Sequence, residues 1–182
     1  MPSFSIQEDY PSINAAANIF LGKLPGKHIE TDIAGAASVA GLMLLRAAGV
    51  DLSSLEPGST VLVDWVNDSG IELSNFMVQV AANTGLDPRT GWTEPVPADH
   101  QPQMSVLELT RALETPFLAA CEEAASLPEW KPYIAALAAM KIVSAGATSK
   151  FLDPEIGKAL AMTYVVAGSK TVPWPVLSGV SA

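Results

Sequence analysis

Cysteine, histidine and basic residues are all scarce in this chain. A single cysteine, Cys121, among 182 residues excludes an internal disulfide and a cysteine-based zinc site. The two histidines, His28 and His100, cannot build a di-iron bundle centre, which needs Glu-x-x-His pairs, and no such pair occurs. With 10 Lys and Arg against 19 Asp and Glu, a net charge of −9, and no basic cluster, a phosphate backbone or an anionic membrane surface has nothing to grip. Neither nucleic acid nor membrane is expected as a partner. Aromatics stand at 7%, too few for an aromatic-studded sandwich. No apolar run reaches the ~20 residues of a spanning helix. The glycine pairs Gly22/Gly26 and Gly35/Gly41 do not form a phosphate-cradling motif, so no nucleotide cofactor is expected. The first ten residues bring acids before any apolar stretch and lack a positively charged start, which argues against a signal peptide and for a cytoplasmic location. Without export, the sequon Asn67-Asp68-Ser69 is read as coincidence.

What is abundant is small and aliphatic. Hydrophobic residues make up 49% of the chain and charged ones 16%, and the apolar content is largely Ala, Leu, Val and Ile. Residues 33–45 hold no polar side chain except Ser38, with Arg46 following. A helix apolar on every face must be surrounded on every face. The expectation is an all-α fold: one domain of about six helices around a buried central helix (33–48), in which Ala34, Ser38 and Gly41 form a ridge of small residues. Thr31 or Asp32 is a candidate cap for that helix.

The remaining elements follow from periodicity and punctuation. Residues 1–10 read as a loose arm, and Ile13, Ala16, Ala17 and Phe20 mark a first helix. Residues 60–66 are ambiguous: β-branched content favours a strand, while Asp64, Asn67 and Asp68 on one face favour a helix, with Pro57 in its first turn. The helical reading is preferred, and Ser69 or Ser74 would start the next helix, carried by Leu73, Phe76, Met77 and Val80. A proline-rich loop spans 86–103. Ser105 with Glu108, and Ser126 with Glu129, have capping-box spacing, and Pro116 is expected to kink or restart the helix between them. Asp153-Pro154-Glu155 starts a last helix whose inner stripe reads Leu160, Tyr164 and Ala167, and residues 170–182 form an extended tail pinned by Trp174. No repeat or linker divides the chain.

Candidate chemistry is sparse. The run His28, Glu30, Asp32 has metal-ligand residue types, yet alternate spacing brings them together only on an extended backbone, so no metal is expected. Asp64, Asn67 and Asp68 lack the distal glutamate of a calcium loop. Cys121 precedes two glutamates, which oppose thiolate formation, and reads as a core residue. In the long loop, His100 with Asp99 is the best acid–base pair, and Arg89, Trp92 and Glu94 are candidate binding residues. Arg46 and Lys141 interrupt apolar surfaces. Each either pairs with a carboxylate (Asp64, Glu108 or Glu114) and serves an anion pocket, or simply snorkels to water, and snorkelling is the preferred reading for both. The function expected from these features is a non-enzymatic, homo-oligomeric binding protein, a homodimer by prevalence, with a pocket for a small apolar ligand. The alternative is an enzyme with an acid–base site in the 86–103 loop.

Overall fold

The computed structural model describes residues 6–175. Six helices make a single bundle: α1 (Ile6–Leu21), α2 (Ile29–Ala47), α3 (Asp64–Asn83), α4 (Val106–Glu123), α5 (Lys131–Thr148) and α6 (Pro154–Lys170). Helix α2 is the axis. Every residue from 32 to 45 is buried, and α6, α5, α4 and α3 all pack against it. The all-round apolar stretch is central because it has no face that water can wet.

The α2–α6 contact is made by backbone. A Cβ added to Gly41 would overlap the carbonyl oxygen of Val165 and stand 2.5 Å from the amide nitrogen of Ser169. One added to Gly168 would overlap the carbonyl oxygen of Ser38. Only hydrogen side chains permit this approach, and Cα–H···O contacts accompany such crossings. On another face of α2, a Cβ on Gly35 would meet Leu113 Cδ1 at 2.5 Å. The cost of this tightness is visible at Ser38, whose hydroxyl is fully buried and has no hydrogen-bond partner among the described residues.

Several local expectations are corrected. Helix α1 includes residues 6–10, where the sequence reads as a loose arm, and Pro11 lies inside it. Glu8 and Asp9 in its first turn favour the helix dipole, and Pro11 removes only one backbone donor; residues 1–5 fall outside the described part. Residues 60–63 are not helical. Thr60 forms an antiparallel bridge with Thr171, and Val61 N–H donates to the Lys170 carbonyl at 2.8 Å. Gly58 N–H donates to the Val172 carbonyl at 2.8 Å, and Val172 N–H returns to Ser59 at 2.9 Å. Their β-branched side chains suit this extended clamp, whose partner lies more than a hundred residues away in sequence. From Asp64 a single helix then runs through Ser69 and Ser74 without a break.

Pro116 neither ends nor restarts α4, which is continuous. The Ser105–Glu108 capping box is present. The Ser126–Glu129 box is not: Pro128–Trp130 forms a 3₁₀ turn and α5 begins at Lys131, with Ser126 Oγ buried and unpaired. The inner stripe of α6 runs through Leu160, Ala161, Val165 and Gly168 rather than Tyr164 and Ala167, which are half-buried. The tail after Lys170 pairs with 58–61 through residue 172, and 176–182 lies outside the described residues.

Two substitutions test the crossing in opposite directions. Gly41→Ala should destabilise by about 1–3 kcal/mol or more, although alanine is the better helix former. Ser38→Ala should be neutral or stabilising by about 1 kcal/mol, because it deletes an unsatisfied buried hydroxyl. Thermal melts read both, at roughly 2–4 °C per kcal/mol for a chain of this size; a Gly41→Ala midpoint at or above wild type would rule out the backbone contact.

Candidate functional site

The polar chemistry gathers at the two ends of α2. At its N-terminal end the cap is His28, not Thr31 or Asp32. His28 has extended backbone angles (φ −148°, ψ 109°), and its Nδ1 accepts the Thr31 N–H at 3.3 Å. The Thr31 hydroxyl lies 2.8 Å from the same nitrogen and itself accepts the Gln103 N–H at 3.0 Å. With Nδ1 accepting, the His28 proton belongs on Nε2, which lies 3.5 Å from Glu30 Oε2. Glu30 Oε1 takes a 2.8 Å hydrogen bond from Nδ1 of His100. Both histidines of the chain therefore meet one carboxylate whose side chain is only 11% exposed. Burial alone would push Glu30 up. The bond from His100 and a backbone bond outweigh that and hold it below its ordinary value. Asp32 instead accepts the Gly26 N–H at 3.4 Å and is pushed up by burial.

His100 is thus a correction to the expected pair: its carboxylate is Glu30 on another element, while Asp99 beside it is exposed. A histidine that gives Nδ1–H to a carboxylate keeps Nε2 as an acceptor, the arrangement of a general base. The other loop candidates serve different partners. Arg89, 84% exposed, folds back on Asp87 through Nε and Nη2, both at 3.0 Å. Those bonds draw the Asp87 carboxyl down to about 2. Glu94 is exposed and held low by backbone N–H groups, its own and that of Thr93. Trp92 donates its indole N–H to the Pro88 carbonyl at 2.9 Å.

The anchor of that loop is a residue that periodicity did not single out. Lys158 on α6 is 1% exposed, donates to the Asp87 carbonyl at 2.6 Å and lies 5.7 Å from the centre of the Trp92 ring. Gly91 lets the loop sit this close. Its φ is +77°, and a Cβ there would stand 2.6 Å from Glu155 Cα.

At the C-terminal end of α2, Arg46 grips Glu114 on α4 with two bonds, Nε to Oε1 at 3.0 Å and Nη2 to Oε2 at 3.2 Å. Nη2 also reaches the Trp174 carbonyl at 3.4 Å. Arg46 is paired rather than merely snorkelling. Among the described residues Lys141 is in no ion pair; its ammonium bonds Asn18 Oδ1 and burial lowers its pKa. Two recesses, of about 280 and 310 Å³, lie beside Arg46. The first is walled by Val50, Leu55, Pro57 and Trp174, the second by Met43, Leu118, Pro128 and Lys131. Arg111 lies 4.8 Å over the Trp174 ring.

Among the described residues, no group of three or more His, Cys, Asp and Glu is arranged to hold a metal ion, and no helix is long and apolar enough to cross a membrane. Burial pushes the Cys121 thiol up to about 11, against the nearby charge of Lys131. No protein-family description, curated protein or solved structure matches this chain.

Because Glu30 is held below its ordinary value, its stabilising contribution is complete above the usual carboxylate range and is lost as pH falls below it. Glu30→Gln keeps the shape and removes the charge. It should cost about 1 kcal/mol at pH 7, the difference between a charged and a neutral hydrogen bond. The gap from wild type should close in thermal melts taken towards pH 3; a gap that persists unchanged would mean the charge is irrelevant there.

Proposed function

We propose that this chain is a non-enzymatic binding protein whose site is the pair of recesses beside Arg46, taking a small ligand with an apolar body. The observation that carries the reading is the exposure of Val50 (42%), Leu55 (41%) and Trp174 (43%) on one wall. Three large apolar side chains left facing water around a single concavity mark a contact site, whereas scattered ones need no explanation. The recesses stand near the lower end of the usual ~300–1,000 Å³ range of ligand pockets, which favours a small occupant. Self-association belongs to the same reading: Leu62 (74% exposed) and Ile71 (63%) give a second copy apolar surface to cover.

A second reading, an acid–base enzyme of the 86–103 loop, is favoured by the bond between His100 Nδ1 and Glu30 alone. Loss of p-nitrophenyl acetate hydrolysis in His100→Ala, with full retention in Leu55→Asp, would move the assignment there.

The neutral dye N-phenyl-1-naphthylamine tests the binding reading. Its fluorescence should rise saturably with wild type. Leu55→Asp should weaken binding about tenfold or more, since a charge on the wall must be desolvated. Phe151→Asp, at an 82% exposed residue lining neither recess, should bind normally. Equal binding by the two variants would sink the assignment.

A further inference from the structure

We infer that the ligand of the Arg46 recesses carries an acidic group: an apolar body ending in a carboxylate or a comparable monoanion. The inference rests on the binding reading above and adds the headgroup. Three of the chain's 10 basic residues meet at this end of the bundle. Arg46 lines both recesses, Lys131 lines the second, and Arg111 covers the ring of Trp174 on the wall of the first. Among the lining residues themselves Arg46 and Lys131 stand with Glu114 and Asp51, two charges of each sign, and Arg111 adds a third cation beside the first recess. In a chain of net charge −9, composition alone would place surplus negative charge at any chosen spot.

The pairing pattern sharpens this. Among the described residues, Glu114 is bonded to Arg46, while neither Arg111 nor Lys131 is in an ion pair. The Arg46–Glu114 contact uses Nε and Nη2. A guanidinium has five N–H donors, so the Nη1 side remains for a second acceptor in the same plane. The negative end of the α2 dipole opposes an anion here. The positive end of α5 offsets it, since Pro128 and Lys131 at that helix start line the second recess. Repulsion from the rest of the acidic surface is screened beyond ~8–10 Å at physiological ionic strength. Local charge therefore decides the preference: the lining charges are even, and Lys131 and Arg111 are left outside the ion pairs of the described residues.

Decanoate and decanol share an alkyl chain and differ in the headgroup. Each is titrated at pH 7.5 against the full chain loaded with N-phenyl-1-naphthylamine. Decanoate should displace the dye at about tenfold lower concentration than decanol, the size of one charge-assisted hydrogen bond. Arg46→Gln should erase that advantage while leaving decanol displacement in place. Arg46→Gln can perturb folding by stranding Glu114, so Lys131→Gln is the second variant. It breaks no ion pair and should reduce the decanoate advantage severalfold. Equal displacement by the two compounds, or a preference for decanol, overturns the acidic headgroup and leaves the apolar-ligand reading standing. Displacement by neither, from a dye that binds saturably, overturns both.

Discussion

The close approach of α2 to α6 is the constraint on which the rest of the molecule depends. Gly41 against Val165 and Gly168 against Ser38 bring two backbones into contact, and that distance is available only where both helices give up their side chains. The arrangement forfeits the large apolar areas that Leu or Phe would bury. It recovers part of that through dense packing, where many small dispersion contacts add up. The alanine-rich composition follows: α5, which also lies along α2, buries Ala135, Ala136, Ala138 and Ala139 completely. The Ser38 hydroxyl without a partner shows that closeness has been kept at the expense of a satisfied polar group.

A helix sealed in this way can carry charged groups only at its ends, because an unpaired charge along its length would be stranded away from water. That rule places the chemistry. His28, Glu30 and Thr31 occupy the first turn and cap region of α2, and Arg46 occupies the last. The loop between α3 and α4 docks on the first group through His100 and Gln103. The segment after α6 docks on the second through Trp174. The α3–α4 loop and the segment after α6 are thus tied to the two ends of the most buried helix. Lys158 is the exception that respects the same physics: it is buried, yet its ammonium meets a carbonyl and an aromatic face brought by the loop.

The two polar ends differ in what they leave open. At the histidine end, Glu30, His28, Thr31, Gln103 and the Nδ1 side of His100 bond one another, which makes that cluster a fastener as readily as a reactive centre. At the arginine end, two positive side chains stand without ion pairs beside concave apolar walls. The proposed binding site lies at the arginine end, and the bonds from His100 and Gln103 hold the long loop to the histidine end.

The helices that bury a regular stripe were legible in the chain: Ile13, Ala16, Ala17 and Phe20 on α1, and Leu73, Phe76, Met77 and Val80 on α3, are all buried. So was the central helix, since an apolar run with no polar face has one solution in water. Of the candidate site residues, Arg46 and His100 were visible as types out of place, but their partners were not, because Glu114 and Glu30 lie 68 and 70 residues away. The Asp99 neighbour was favoured only by adjacency, which does not govern where side chains meet. The extended clamp at 58–61 was hidden for the same reason. Its strand partner is residues 170–172, and local propensity cannot report a hydrogen bond to the far end of the chain. Local periodicity, being a property of consecutive residues, determined what each helix buries. Only the packed structure decided which charges meet, because those contacts join segments that nothing but the assembled core brings together.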